Sequence, residues 1–578
     1  LRCRLQPNRK TDQDLFSSAG NGPAALILSY ILHGNIPFYD ESSPHPDPIL
    51  HEKLLRSKHD LLSFDIDTLV EHFSASRFSY STQALPVNVL LDTLVRPLGE
   101  TDDAQKKTCV KWQHDPARIV PHVVIGQTNT AGGQWEENPV HASWDIATLS
   151  YAGMISLPGY GFDEHYQRCN GEPMPIYLRP SRRAVAEYFA AYPDQVGISG
   201  SVHNGEKVTG VSRHADGFYI ASHKIQCKHL VMASGIFDEL IQPPPLLRPL
   251  VTLLDKQSNT CSDPLLVIGS GFSAADVIIS AVACQKIIHV FKWAPSTSPS
   301  PLRACHQQAY AEYAGVYRRM KLAALSSSQQ TPEKRPKTRH SFSNFDLSRD
   351  WTATYEGLPN TEILDVQQTD DGAGALVTFQ MPNGRPVRRR VCGMAYVIGR
   401  RGSLDYLSPT LLQEVLPAED TRRSDSTVSG QTLREKANDD FEVASGVFAI
   451  GSLTGDSLIR FAYGGCAFTA GKIMASASPT ISASTSNSNS NSNTSPASLS
   501  SPPSPSKKAI AAAPPRTPER NGVKGVSLRE SAVAGVVSRF QTPTSSPKIP
   551  AMNGLDGHEA SPISLAEKHV PLDRRKEA

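Results

Sequence analysis

The residues best placed to do chemistry in this chain are small ones. Gly269-Ser270-Gly271-Phe272-Ser273-Ala274 ends the apolar run PLLVIG and opens directly into the helical pattern FSAADVIISAV. In such a turn the first glycine permits a tight reversal and the second lets backbone approach a pyrophosphate. Ala274 then allows close helix-strand packing, and free amides at the helix start receive the anion. The next apolar run, KIIHVF, ends about 20 residues past the glycines, where an acidic residue would hold the ribose of NAD; Lys292 stands there instead, and a cation suits the extra phosphate of NADP. A second turn of the same form lies earlier, in SSAGNGPAALILSYIL, with Gly20, Gly22 and Ala25 in the corresponding places. Asp40 follows a short predicted strand, Ile36 to Tyr39, at the distance expected of a ribose-binding carboxylate. Two such turns imply two nucleotides. The residues before Gly20, DQDLFSS, do not read as the apolar strand that the motif requires; the expectation is a lost or mispredicted first segment, the alternative a defective first strand.

Three further segments point to the nature of the first nucleotide. TAGGQW gathers Gly132, Gly133 and Trp135 in one loop, where backbone can pass close to a flat ring while an aromatic closes one side. HLVMASGIFD ends a strand at Gly235, where two-dinucleotide flavoproteins cross between domains. GVFAIG ends at Gly451 and leads into SLTGDSLIRFAYGGCAFTAGKIM, in which Asp456 is placed to accept hydrogen bonds from a ribityl chain. The small-residue helix after Gly464 would set positive potential beside the pyrimidine edge of a reduced flavin. Their order along the chain predicts FAD at the first turn and NADPH at the second. Nothing resembles a metal site: His45, His51, His122 and His141 are dispersed, without i, i+4 spacing or paired cysteines. The nine cysteines include no CxxC and no CxxxxC, which argues against a zinc ribbon, a disulfide framework or a disulfide reductase and suits a reducing compartment. No catalytic side chain is identified.

These turns must be held by a parallel sheet. VVIG, HLVMASG, PLLVIG, KIIHVF, MAYVIG and GVFAIG are apolar runs, several ending in Gly and running into helices, the pattern of strands buried on both faces. The fold class is therefore α/β, with two dinucleotide-binding, Rossmann-like domains. The expected layout is an FAD domain over 15–255, with an elaboration at 41–120, completed by 440–475. An NADPH domain over 256–439 is inserted between them and carries a surface insertion at 324–345. Beyond residue 476 the SNSNSNSN tract and its Ser/Pro-rich continuation predict a disordered tail over 476–578, because such a composition cannot bury enough apolar surface to offset its ordering entropy. With 58 basic against 56 acidic residues and a net charge of +2, the chain does not read as a nucleic-acid binder, and Arg388-Arg389-Arg390 reads as a hairpin face. The longest apolar run, Ala24 to Leu32, is too short to span a bilayer, and no secretory leader opens the sequence, which begins at Leu1.

The set GNGPAA, HPDPILHEKL, HVVIGQ, GGQW, LVMASGIFD, VIGSGFSAAD and GDSLIRFAYGGCAFTAGKIM resembles the oxidative-stress-induced growth inhibitor family, relatives of flavin-containing and N-hydroxylating monooxygenases. The resemblance covers roughly residues 20–475 and excludes the tail. It implies an FAD- and NADPH-dependent monooxygenase that transfers oxygen through a C4a-hydroperoxyflavin to an unidentified small-molecule or protein substrate. It assigns Gly20, Gly22, Ala25, Gly132, Gly133, Trp135 and Asp456 to FAD, and Gly269, Gly271, Ser273, Ala274 and Lys292 to NADPH. It further implies control of cell growth, cell death and late cell division, a cytoplasmic location extending to midbody or nucleus, and regulatory protein partners acting through the tail. The sequence departs from the wider pattern at Ala25, at Ser234 in the crossing segment, and in QPPPLLRPL, which lacks the Gly and His of the monooxygenase fingerprint. An uncoupled NADPH oxidase and a non-catalytic nucleotide-binding scaffold are the rival readings.

Overall fold

The computed structural model describes residues 16–56, 60–63, 65–76, 84–97, 108–138, 140–255, 263–327, 349–370, 372–417, 426–437 and 440–477. All fall within one unit of the chain, Leu1–Val536. The tail beyond 477 and most of the expected insertion, 328–348, lie outside the described residues.

In chain order the elements that build the site are β1 (Phe16–Ala19), α1 (Pro23–Leu32), α2 (Pro86–Val95), β2 (His122–Gly126), α3 (Arg182–Gln195), β3 (Val202–Asn204) and β4 (His229–Met232). There follow β5 (Leu265–Ile268), α4 (Phe272–Ser280), β6 (Ile287–Phe291), β7 (Tyr355–Pro359), β8 (Gly393–Tyr396), β9 (Glu442–Ala444), β10 (Val447–Ala449) and α5 (Tyr463–Ala477). Among the described residues the first sheet has the order β9-β10-β4-β1-β2-β3, parallel except for the edge strand β9. The second has the order β7-β6-β5-β8 and is wholly parallel. In each sheet the strand preceding a glycine turn is internal, so the turn emerges at the carboxyl edge beside its neighbours' ends.

The first strand is not defective. FSSA pairs in register on both sides, Phe16 opposite His122 and His229, Ala19 opposite Ile125 and Met232. Two flanking strands supply the backbone partners that local propensity does not favour, a tertiary override of a polar sequence. The helix that follows is apolar on every side, and its residues Ala25 through Leu32 are all buried, as expected of a helix held between a sheet and other helices. It packs on α5.

A second correction concerns the next strand. Asn35–Tyr39 does not extend the sheet; it pairs antiparallel with Val110–His114 in a separate two-stranded ribbon. The place beside β1 belongs to β2, more than eighty residues further on. The segment between is a looped-out elaboration whose helices pack on α1 and α5 in one continuous core.

The arginine run lies on the strand Pro386–Val391, where Arg389 forms a two-pronged pair with Glu356 and Arg390 pairs with Asp263 at 2.5 Å. Among the described residues, the cysteines are free, no cluster of potential metal ligands occurs, and no helix is long and apolar enough to cross a membrane.

Candidate nucleotide sites

A cavity of about 340 Å³ opens at the carboxyl edge of the first sheet. Gly20, Gly22, Gly132, Gly133, Trp135, Gly235, Gly451 and Asp456 all line it, although they come from four separate stretches of chain. Backbone proximity explains the glycines. A Cβ at Gly20, where φ is +117°, would stand 2.4 Å from the Ala233 carbonyl oxygen; one at Gly451 would stand 2.9 Å from the Ala24 Cβ. One at Gly133 would touch the Cα of Gly22 at 3.1 Å. Gly22 differs: a Cβ there meets nothing within 4 Å. It is the N-cap of α1, in extended conformation, and no side chain caps the helix. The positive end of the helix, without a side-chain cap, therefore faces an open space, a setting that suits a diphosphate. Ala25 does not line the cavity; fully buried, it keeps the helix close to the sheet.

Asn21, between the two glycines, ties the turn together. Its amide nitrogen donates to the Asn204 side-chain oxygen at 2.7 Å and to the Thr130 carbonyl at 3.1 Å, while its oxygen accepts from the Thr128 hydroxyl at 2.8 Å. Its own carbonyl accepts from the Gly132 amide at 2.9 Å. One buried side chain thus fixes the ends of β1, β2 and β3 and the start of the GGQW loop. Asn21→Ala leaves these partners unsatisfied and is expected to cost about 1–3 kcal/mol of stability, measurable as a shift in the denaturant midpoint.

Asp40 is absent from the cavity wall. Because its strand leaves the sheet, its Oδ1 instead accepts from the amide and hydroxyl of Ser42, at 3.1 and 2.7 Å, in a surface turn. Gln127, just beyond β2 at the carboxyl end of the strand beside β1, lines the cavity. The spacing of HVVIGQ before GGQW was the signal for it.

Asp456 lines the cavity, yet its carboxylate is engaged within the protein. Oδ2 accepts from the Leu85 amide at 2.9 Å and the Asn88 amide group at 2.6 Å; Oδ1 takes Arg434 at 2.9 Å. Its geometry is that of a structural anchor. The helix it meets, α2, carries a buried polar stripe, Asn88, Asp92 and Arg96, spaced by four on an otherwise apolar surface. Asn88 also accepts from the Gly465 amide at 2.7 Å, and Asp92 bridges Arg96 at 2.9 Å and Arg460 at 2.6 Å. The elaboration therefore has a function in the fold: α2 holds the segment 456–465 against the cavity.

The second turn stands apart from this cavity. A Cβ at Gly269, where φ is +152°, would lie 2.5 Å from the Val397 carbonyl oxygen, and Gly271 is the N-cap of α4, again without a side-chain cap. Ala274 is fully buried beneath the helix, Ser273 lies in its first turn, and Lys292 is exposed just past β6 on the same sheet edge. His289, which the sequence reading passed over, sits buried in β6 with Nε2 2.7 Å from the Gly269 carbonyl and Nδ1 2.8 Å from the Tyr355 hydroxyl. Burial lowers its pKa to about 4. The ring is therefore neutral, donating from Nε2 to the carbonyl and accepting at Nδ1, and it braces the glycine turn from below.

No family model matches the chain. It is 26% identical over 504 residues to oxidative stress-induced growth inhibitor 1 of Mus musculus, covering 79% of this chain and 94% of that protein. It is 28% identical over 341 residues to the Caenorhabditis elegans homolog osgn-1, covering 52% and 70% respectively. Among solved structures, a mutant flavin monooxygenase from Stenotrophomonas maltophilia overlays with a TM-score of 0.41 at 13% identity, covering 80% of this chain and 99% of that one. Bacillithiol disulfide reductase from Bacillus cereus overlays with a TM-score of 0.42 at 11% identity and the same coverage. The curated homologues of this chain are thus oxidative stress-induced growth inhibitors, at 26–28% identity.

Proposed function

We propose that the chain is an FAD- and NADPH-dependent monooxygenase, with FAD in the cavity of the first sheet and NADPH at the second glycine turn. The observation that carries this reading is the convergence of an uncapped helix start, the GGQW loop, Gly235 and Gly451 on one cavity. The residues present fit the group: the Gly20–Gly22 turn would take the pyrophosphate, Gln127 the ribose, and Trp135 with Gly451 the ring. At the second turn, Gly269, Gly271 and Ser273 would take the dinucleotide phosphates, and Lys292 the additional phosphate. Bound flavin, reduced by NADPH, supplies the activation of dioxygen for transfer of one atom to a nucleophilic substrate.

The chain's own contribution is binding, orientation and shielding. Asn21 fixes the loops around the helix start, and α2 holds segment 456–465 as one wall. Arg400, whose Nη1 donates to the Phe237 carbonyl at 3.3 Å, lines the cavity beside Glu137 and Asp238. Consistent with the homologues' name, we propose that this activity serves restraint of growth under oxidative stress.

The test uses the full chain titrated with FAD, then mixed with NADPH without oxygen. Saturable uptake of FAD and bleaching of its visible band, faster with NADPH than with NADH, is the expected result. A chain that takes up no FAD at saturating concentration leaves only the scaffold reading. Hydrogen peroxide released in step with every NADPH consumed, whatever nucleophile is offered, would make the protein an oxidase instead.

A further inference from the structure

Arg182 holds the GGQW loop from behind, with Arg400 of the cavity wall and Asp276 of α4 both near its charge. It opens α3, one residue after the N-cap Ser181. Its Nη2 donates to the Gln134 carbonyl at 2.7 Å and also to that of Glu137. The guanidinium lies over the rings of both Trp135 and Trp144, 5.7 and 5.5 Å from their centroids. Edge hydrogen bonds and face stacking are available together only to a planar cation. One side chain therefore fixes the turn that presents Gly133 and Trp135 to the first cavity.

The same loop is anchored in the other domain. A few residues past Glu137, Val140 and Ala142 are buried in the core that contains Val267 and Ala274, on either side of the second glycine turn. On the return path Arg179 donates to the Ala309 carbonyl at 3.0 Å and pairs with Glu312 at 3.7 Å, at the start of a helix packed on α4. Asp276, on α4 itself, takes the Tyr313 hydroxyl at 2.8 Å. Burial raises its carboxyl to about 6, with Tyr313 and then the Arg182 charge opposing that rise. Burial, and next the nearby Arg400 charge, lower the Arg182 pKa.

We infer that Arg182 is a positioning residue that couples the two sites: it holds the GGQW loop in the shape that receives FAD and transmits to that loop any shift of α4 caused by a nucleotide at the second turn. This rests on the FAD and NADPH reading above. The rival is a plain structural pin at the start of α3, whose loss lowers stability and nothing else.

The experiment measures FAD affinity by quenching of its fluorescence, with and without saturating NADP⁺, for the full chain and for Arg182→Gln, Arg182→Lys and Asp276→Asn. In the unsubstituted chain NADP⁺ is expected to change FAD affinity by about fivefold or more, within the usual range of coupling between sites. Arg182→Gln should abolish that change and weaken FAD by roughly tenfold. Arg182→Lys should behave like Arg182→Gln, because an ammonium cannot stack between two indoles while bonding both carbonyls, and millimolar guanidinium should restore part of the coupling. Asp276→Asn should reduce coupling while leaving FAD affinity without NADP⁺ unchanged; it decides the matter should Arg182→Gln fail to fold. Coupling that survives in all three variants, or its absence in the unsubstituted chain that binds FAD, overturns the inference. Failure of the unsubstituted chain to bind FAD would instead overturn the reading beneath it.

Discussion

Gly22→Asp should abolish FAD binding while leaving the fold intact. Gly22 has φ −76° and ψ 177°, an ordinary extended conformation open to any residue, and a Cβ there meets no atom within 4 Å. It is the N-cap of α1, a position where aspartate is among the most stabilising residues. Thermal stability should therefore be unchanged or slightly raised. The new carboxylate would stand within a few ångströms of the expected diphosphate, where like charges at about 4 Å and an effective dielectric near 20 repel by roughly 4 kcal/mol. FAD affinity should accordingly fall by about 100- to 1000-fold, read as a titration beside a melting curve. Retention of FAD by the folded variant would show that no phosphate approaches this helix. Gly20 cannot serve the same test, because any side chain there collides with the Ala233 carbonyl, so a loss of binding would report unfolding.

The second large effect is structural. Asp92 is buried between two arginines, Arg96 and Arg460, and accepts from Arg460 through both Nε and Nη2, at 3.0 and 2.6 Å. Arg96 reaches on to the Gly153 and Arg460 carbonyls and lies over the Tyr463 ring. Asp92→Ala removes the buried carboxylate that both arginines share, which is expected to destabilise the fold by about 3–5 kcal/mol. The measurement is the denaturant midpoint at constant slope. A loss below about 1 kcal/mol would place this triad with ordinary surface pairs. Segment 456–465 carries Arg460 and Tyr463, so partial loss of the cavity wall should accompany any variant that folds.

How far the sequence could be read depended on the range of the forces involved. Glycine turns, helix starts and continuous apolar strands are local features, governed by backbone sterics and by burial on both faces of a sheet, and these were legible from neighbouring residues. Asp40 failed because its assignment assumed that the next strand in sequence is the next strand in space. Asp456 does line the cavity, but a lone carboxylate in a motif carries no mark of what else surrounds it. Here three donors from α2 and from Arg434 converge on it.

The sequence by itself determined the α/β class, the two glycine turns and the resemblance to growth inhibitors. Each is written in short windows where residue type constrains φ, ψ and burial directly. Only the tertiary structure decided that polar FSSA is an internal strand, that β2 replaces Asn35–Tyr39 beside β1, and that Asn21, Gln127 and Arg182 belong with the glycines. Those outcomes arise from hydrogen bonds and contacts between segments tens to hundreds of residues apart. Their energies exist only once the chain has closed those loops, and no local pattern records them in advance.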